Sequence, residues 1–233
     1  MAGETRKTTG IAVAIRPWSQ TSHVVTWLTP DAGTVATVVK GAVRPKSAFL
    51  GQYDLFYTCE IVYYVGGHGE LRPLREASPL SRRDGLRGRW RETALAGYAA
   101  ELVRELVPAG AEAKEWFTFM ENLLDSLSAG CRDLLAAFVR LERGVLRHAG
   151  LNPDFSGADR STWTDFSIER GVVGEGGRIV RLAPETIRYL DSPRDGAGRE
   201  TVLDAMRFLG LFMSYHLDLP ADMRRQTLLQ IRN

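Results

Sequence analysis

The sequence predicts an α+β protein, with a small five-stranded closed β-barrel at the N-terminus and a mostly helical remainder. Two observations carry this prediction. The hydrophobic period is two from Thr9 to about Leu80, and it changes to 3.6 after residue 91. Between them, residues 81–91 form an arginine-rich stretch with two glycines, which reads as a basic linker. The expected organisation is therefore a barrel over 1–80, a linker over 81–91 and a helical domain over 92–233.

Each barrel element follows from its alternation. Ile11, Val13 and Ile15 alternate with Ala12, Ala14 and Arg16, and His23 to Thr29 is β-branched and aromatic. Thr34 to Val43 sets Val35, Thr37 and Val39 against Ala36, Val38 and Lys40. Tyr53 to Val65 and Glu70 to Ala77 complete the set, separated by Gly66-Gly67-His68-Gly69, which reads as a hairpin turn. Pro17, Pro30-Asp31-Ala32-Gly33 and Pro45 to Gly51 supply the other turn signals. Closing five short strands into a barrel removes the open edges a flat sheet would expose. An SH3-like barrel fits this pattern almost as well as an OB-fold.

Beyond the linker, Leu95, Tyr98, Ala99, Leu102 and Leu106 fall on one helical face that ends at Pro108-Ala109-Gly110. Trp116, Phe119, Met120, Leu123 and Leu127 mark a second helix; Leu134, Phe138, Leu141, Val145 and Ala149 mark a third, closed by Gly150. Three such stripes on short connections are expected to bury one another as a bundle. Residues 151–185 lose the helical period. Trp163 to Ile168 and Arg178 to Leu182 read there as a β-hairpin joined through the glycines between 171 and 177. A last helix carries Val202, Ala205, Met206, Leu209, Met213 and His216, and a short helical tail is expected beyond Pro220.

The net charge of +2 hides an asymmetry. Residues 1–91 hold 13 Lys and Arg against 7 Asp and Glu, whereas 92–233 hold 17 against 21. The N-terminal excess of +6 suits a polyanionic partner, although ordinary surface variation gives similar numbers. Enzyme signatures are missing from the sequence. There is no glycine-rich phosphate loop before Lys46-Ser47, no G-x-S-x-G elbow, and no clustered set of acidic metal ligands. Four histidines, at 23, 68, 148 and 216, are scattered, and the cysteines, Cys59 and Cys131, are far apart. No catalytic residue, metal site or cofactor is expected, and a structural zinc site would want four nitrogen or sulfur ligands in close pairs. The chain shows no cationic-then-apolar leader and no apolar run of about 18 residues, so a cytoplasmic location is expected.

Positive chemistry concentrates on the barrel. Arg16, Lys40, Arg44 and Lys46 sit at or just past strand ends, with Arg6 and Lys7 before the first strand. Trp18, Trp27, Tyr53, Phe56, Tyr57, Tyr63 and Tyr64 interleave with them. A barrel that holds single strands needs cations along the phosphates and aromatic faces for unpaired bases. Alternate aromatics on a strand must point inward, so about half of these are expected to fill the core. Candidate DNA-binding residues are therefore Arg16, Trp18, Lys40, Arg44 and Lys46. On the third helix, Arg140, Arg143 and Arg147 are spaced to share a face, a candidate partner-binding surface or simply a solvated basic face.

Several segments together resemble the RecO family of bacterial repair proteins. Arg16-Pro17-Trp18-Ser19-Gln20-Thr21-Ser22 is similar to the family's R-x-x-S/Y-E-T-S segment, with Gln20 in place of Glu. Asp31-Ala32-Gly33 matches its turn before the third strand, and Val39 to Ser47 resembles its K-G-A-R-x-x-x-S motif. Gly69-Glu70-Leu71, Glu76-Ala77, Tyr98 to Leu102 (Y-x-x-E-L) and His148 to Pro153 (G-Y/L-x-P) follow in the same order. The resemblance implies an OB-fold followed by a helical domain with a zinc-finger-like insertion. It implies ATP-independent annealing of complementary strands and, with RecR, loading of the RecA recombinase onto single-stranded DNA in a nucleoid-associated setting. It also implies that the arginine face of the third helix takes the acidic C-terminal tail of single-stranded-DNA-binding protein. Many members carry two C-x-x-C pairs after the G-x-x-P segment. Here Leu151 to Gly177 contains no cysteine, so the hairpin at about 151–185 is expected to lack zinc and to be held by Trp163, Phe166 and Ile168. The competing reading is a protein–protein adaptor, whose barrel binds a protein rather than nucleic acid.

Overall fold

The first strand, β1 (Thr5–Ser19), is long enough to serve two neighbours. Its first half pairs antiparallel with β4 (Thr58–Tyr64), and its second half with β2 (Ser22–Thr29). A bulge between Ala12 and Ala14 turns the strand where the partners change. Gly10 sits just before this turn because a Cβ there would lie 3.1 Å from the Trp27 side chain and 3.2 Å from Ile61. β3 (Gly33–Val39) pairs antiparallel with β2, and β5 (Arg72–Ser81) pairs antiparallel with β4. Parallel pairing of β3 with β5 closes the barrel in the order β1-β2-β3-β5-β4. This is the five-stranded OB arrangement. The computed structural model describes residues 4–65 and 71–232, so the expected turn at Gly66–Gly69 lies outside the described residues.

Alternation decides which side chains fill the barrel. Val25, Trp27, Val35, Val39, Tyr57, Cys59, Ile61, Tyr63 and Leu74 form its core, with Ile15, Phe49 and Tyr53 packed against them. The Trp27 indole N–H is satisfied inside by Thr37 Oγ1 at 2.8 Å, as a buried donor requires. Burial pushes the Cys59 thiol up to about 12, so it is an unreactive packing group.

Contacts divide the chain into two compact units, 1–130 and 131–233. The first contains the barrel, a short 3-10 helix at Asp84–Gly88, and helices α1 (Trp90–Leu106) and α2 (Lys114–Ala129). By this division α1 and α2 fall in the barrel's unit and the next helix in the other, whereas the sequence grouped all three. The β2–β3 turn docks on the loop between them. Gly110 N donates to Ala32 O at 2.9 Å, Ala113 N to Pro30 O at 2.9 Å, and Thr34 Oγ1 to Val107 O at 3.0 Å. Gly33 has φ +59°, and a Cβ on it would sit 2.1 Å from Pro108 O, so only glycine allows this approach.

Within the basic stretch, Arg83 turns inward. Its side chain is 2% exposed, and it donates to Asp125 at 2.7 Å, to Phe56 O at 2.9 Å and to Thr58 Oγ1 at 2.8 Å. Its backbone is left-handed (φ 49°), and so is that of Phe56 (φ 66°), whose carbonyl it caps. A buried fork with three acceptors ties α2 to β4 and overrides the cost of two unusual backbones.

In the second unit, α3 (Leu134–His148) starts at Asp133, whose carboxylate accepts from Ala136 N at 3.0 Å. It packs with α5 (Arg199–His216), and α4 (Pro184–Asp191) and α6 (Ala221–Arg232) complete the helices. Glu142, fully buried on α3, is gripped by Arg224 of α6 at 2.6 and 3.0 Å; Arg224 also donates to Met206 O on α5 at 2.6 Å. The 151–185 region forms a three-stranded sheet, β7-β6-β8, from β6 (Thr164–Ser167), β7 (Val172–Val173) and β8 (Ile179–Leu182). Phe166 and Ile168 are buried as expected, and Phe166 lies among Phe155, Phe208 and Phe212. Trp163 differs from expectation: it is 57% exposed and lies under the Arg181 guanidinium, because it precedes the first paired residue of β6. Among the described residues no group of three His, Cys, Asp or Glu could hold a metal ion. No described helix is long and apolar enough to cross a membrane.

Candidate nucleic-acid interface

Strand register brings the sequence-derived cations to one end of the barrel. Arg16 pairs with Val24, and Val24 with Val38; Pro17 pairs with His23, and His23 with Val39. Arg16 is therefore level with Val38, and Lys40 follows two residues further along, two strands away, at the same end of the barrel. The β1–β2 turn and the segment after β3 are then joined directly. Gly41 N donates to Ser22 Oγ and Val43 N to Thr21 O, both at 3.3 Å. Gly41 adopts φ +67°, and the Arg44 side chain crosses it so closely that a Cβ would meet Arg44 Cδ at 3.2 Å.

Residues 40–57 form no helix; they proceed by successive turns, with Arg44 N donating to Gly41 O, Ser47 N to Arg44 O and Leu50 N to Ser47 O. Two aromatics pin this loop over the barrel end. Phe49 packs on the core, and Tyr53 packs edge-on against Trp27 and His23, accepting or donating one hydrogen bond with His23 Nδ1 at 2.9 Å. Burial pushes the Tyr53 hydroxyl up to about 12, so it stays neutral and structural. These anchors lie outside the candidate DNA-binding set read from the sequence. Their signal was a Phe and a Tyr inside a turn-rich stretch.

Arg16, Lys40, Arg44 and Lys46 are all exposed, and none has an ion-pair partner among the described residues. Trp18 is 61% exposed, whereas Trp27, Phe56, Tyr57 and Tyr63 are buried and Tyr53 and Tyr64 half-buried. Other cations of the first unit are engaged. Arg6 pairs with Asp31 at 2.7 Å, Lys7 with Glu60 at 2.8 Å and Arg87 with Asp54 at 2.9 Å. The Asp31 carboxyl feels burial, which raises its pKa. Hydrogen bonds from Thr8 and Arg6 outweigh it and hold the group below the ordinary carboxylate value. Arg6 and Lys7 are thus committed within the barrel.

The helical arginines do not form one solvated face. Arg143 is 6% exposed and donates Nε to Leu190 O at 3.0 Å, and desolvation lowers its pKa. Arg140 pairs with Asp195 at 2.7 Å, and Arg147 is exposed. The i, i+3 spacing placed Arg143 beside the apolar stripe, where the Leu190 carbonyl of α4 takes its Nε–H.

An OB barrel with an uncompensated cationic and aromatic end, in a chain whose second unit is helical, defines the class of protein. Comparison with known proteins gives the family. Residues 1–83 match the family described as recombination protein O N terminal, and residues 87–225 match recombination protein O C terminal. A protein of Anaeromyxobacter sp. (strain K) named DNA repair protein RecO is 30% identical over 239 residues, covering 91% of each chain. One of the same name from Enterobacter sp. (strain 638) is 29% identical over 211 residues, covering 87% of each. The chain belongs to the RecO family of DNA repair proteins.

Proposed function

We propose that the chain binds single-stranded DNA at the loop end of its barrel and anneals complementary strands without ATP or a catalytic group. With RecR it would help load RecA, acting at the nucleoid. One observation carries this reading: Arg16 and the exposed Trp18 on the end of β1, and Lys40, Arg44 and Lys46 on the segment bonded to the β1–β2 turn, are all exposed, and the four cations have no ion-pair partner among the described residues. A phosphate arriving there breaks no existing ion pair, so its attraction is not offset by a lost one. Trp18 offers a base a stacking surface, worth roughly 1–3 kcal/mol. Contacts to the sugar-phosphate chain leave base edges free, and neutralising both strands lowers the repulsion that opposes their pairing. No bond is made or broken, so no enzyme chemistry is needed.

In the same reading, the acidic tail of single-stranded-DNA-binding protein docks on the arginines of α3 that reach the surface, Arg140 and Arg147, and not on Arg143. The decisive experiment is the Lys40/Arg44/Lys46 triple alanine variant, titrated with a labelled oligonucleotide over a range of salt. The slope of log affinity against log salt should flatten by roughly 0.7 for each lost phosphate contact. Wild-type affinity and slope in that variant would remove the assignment and leave the adaptor reading.

A further inference from the structure

A second feature of the first unit is not used by that interface. A cleft of about 340 Å³ is lined by Leu55, Phe56, Tyr57, Leu86 and Trp90, with Arg82, Arg87 and the acid Asp54 at its rim. Such a volume is at the small end of ligand-sized clefts, about 300–1,000 Å³. Trp90, the first residue of α1, is 57% exposed, and Leu55 is 39% exposed. The cleft floor is rigid. Phe56 N donates to Ala12 O at 2.8 Å, Ala12 N donates to Tyr57 O at 3.0 Å, and the Arg83 fork holds Phe56 O from behind. Arg87 lies over the Tyr57 ring and donates to its hydroxyl at 2.7 Å, which fixes its guanidinium at the rim.

The charge around this cleft points to its occupant. Residues 82–91 contain five arginines and one acid, Asp84, and three of these arginines (82, 83 and 87) line the cleft against one lining acid, Asp54: +3 − 1 = +2. Arg83 and Arg87 have carboxylate partners; Arg82 is exposed with none among the described residues, and Arg89 donates to the carbonyls of Gly85 and Ser128. An apolar slot beside an exposed indole, in the most cationic ten residues of the unit, is complementary to a flat base on a phosphate chain. A protein segment would gain the apolar contact but would need a run of acids to match the charge.

We propose that this cleft is a second base-stacking subsite for single-stranded nucleic acid. An unpaired base would stack on Trp90, and the adjoining phosphate would be held by Arg82. This rests on the single-strand-binding reading above and extends its footprint along β1. Ala12, which borders the cleft floor, is six residues from Trp18, or about 20 Å along the strand. One strand engaging both ends would span several nucleotides, within the roughly 4–16 that single OB-folds cover.

The test is a titration of the full chain with a labelled oligothymidylate of about 16 nucleotides. Trp90→Ala should weaken binding by roughly 5- to 150-fold, the loss of one stacked base, with the salt slope unchanged. Trp90→Phe keeps an aromatic face and should retain most of the affinity. Arg82→Ala, which alters no packed residue, should flatten the salt slope by roughly 0.7. If Trp90→Ala and Arg82→Ala both bind like the wild type while the triple alanine variant is impaired, this subsite is refuted and the barrel-end interface stands. If the wild type itself ignores the oligonucleotide, the parent reading fails and takes the subsite with it.

Discussion

Replacing Arg83 by Met should be among the most destabilising changes in the first unit, and the structure says why. The guanidinium is almost wholly buried and serves three acceptors, of which only Asp125 reaches water, at 60% side-chain exposure. Removing the cation lets Asp125 return to solvent at little cost. Phe56 O loses this donor, Thr58 Oγ1 loses one of its two recorded partnerships, the other being Glu121. An orphaned group costs roughly 1–3 kcal/mol, so Phe56 O and the partly deprived Thr58 Oγ1 together give about 2–6 kcal/mol at most, less whatever the relieved desolvation of the charge returns. Asp125→Asn should cost under about 1 kcal/mol, because its carboxylate is half in water. Urea unfolding of the wild type and both variants, followed by fluorescence, measures this contrast. Equal losses for Arg83→Met and Asp125→Asn would show that the exposed ion pair, and not the buried acceptors, makes the clamp.

Two further outcomes follow from the same physics. Glu142→Gln, which leaves Arg224 facing a neutral partner in a buried setting, should destabilise the second unit by about 3–5 kcal/mol; a loss below about 1 kcal/mol in thermal or urea unfolding would contradict this. Asp31 has a depressed folded pKa, so its contribution is present above the ordinary carboxylate value, about 3.9, and is lost as pH falls through the folded value. The stability gap between wild type and Asp31→Asn should therefore be open at neutral pH and close in acid. A gap that persisted or widened in acid would reverse the sign.

Local pattern made much of the fold legible. Period-two runs located the strands, and the change to 3.6 located α1 within about a turn, because both periods follow from backbone geometry alone. Gly33 stood where a turn needed it, but the strand expected over Thr34 to Val43 ends at Val39, because Gly41 at φ +67° turns the chain into the 40–46 loop. Partnerships across long separations were not legible. Arg83 read as one more solvated charge in a basic linker, yet it is the buried link between β4 and α2. Arg143 shared a helical face with Arg140 and Arg147, but the neighbouring Leu190 carbonyl captures it. Stripe analysis found α1, α2 and α3 but could not say that α1 and α2 serve the barrel while α3 serves α5. A stripe says that a face is covered, not by what. The aromatic inventory had the same limit: alternation gave the share of rings in the core but not which ones, and of the seven only Trp18, unpaired at the irregularity between Pro17 and Ser19, is exposed.

The central claim is that uncompensated cations at one end of the barrel hold an unpaired strand by its phosphates. Binding of the purified chain to a labelled oligothymidylate, measured from dilute buffer upward in salt, tests it most directly. Engagement of Arg16, Lys40, Arg44 and Lys46 gives a log–log slope of about −2.8, from four contacts at roughly 0.7 each, steeper if the second subsite adds its own. Absence of binding in dilute buffer, or binding indifferent to salt, would contradict it.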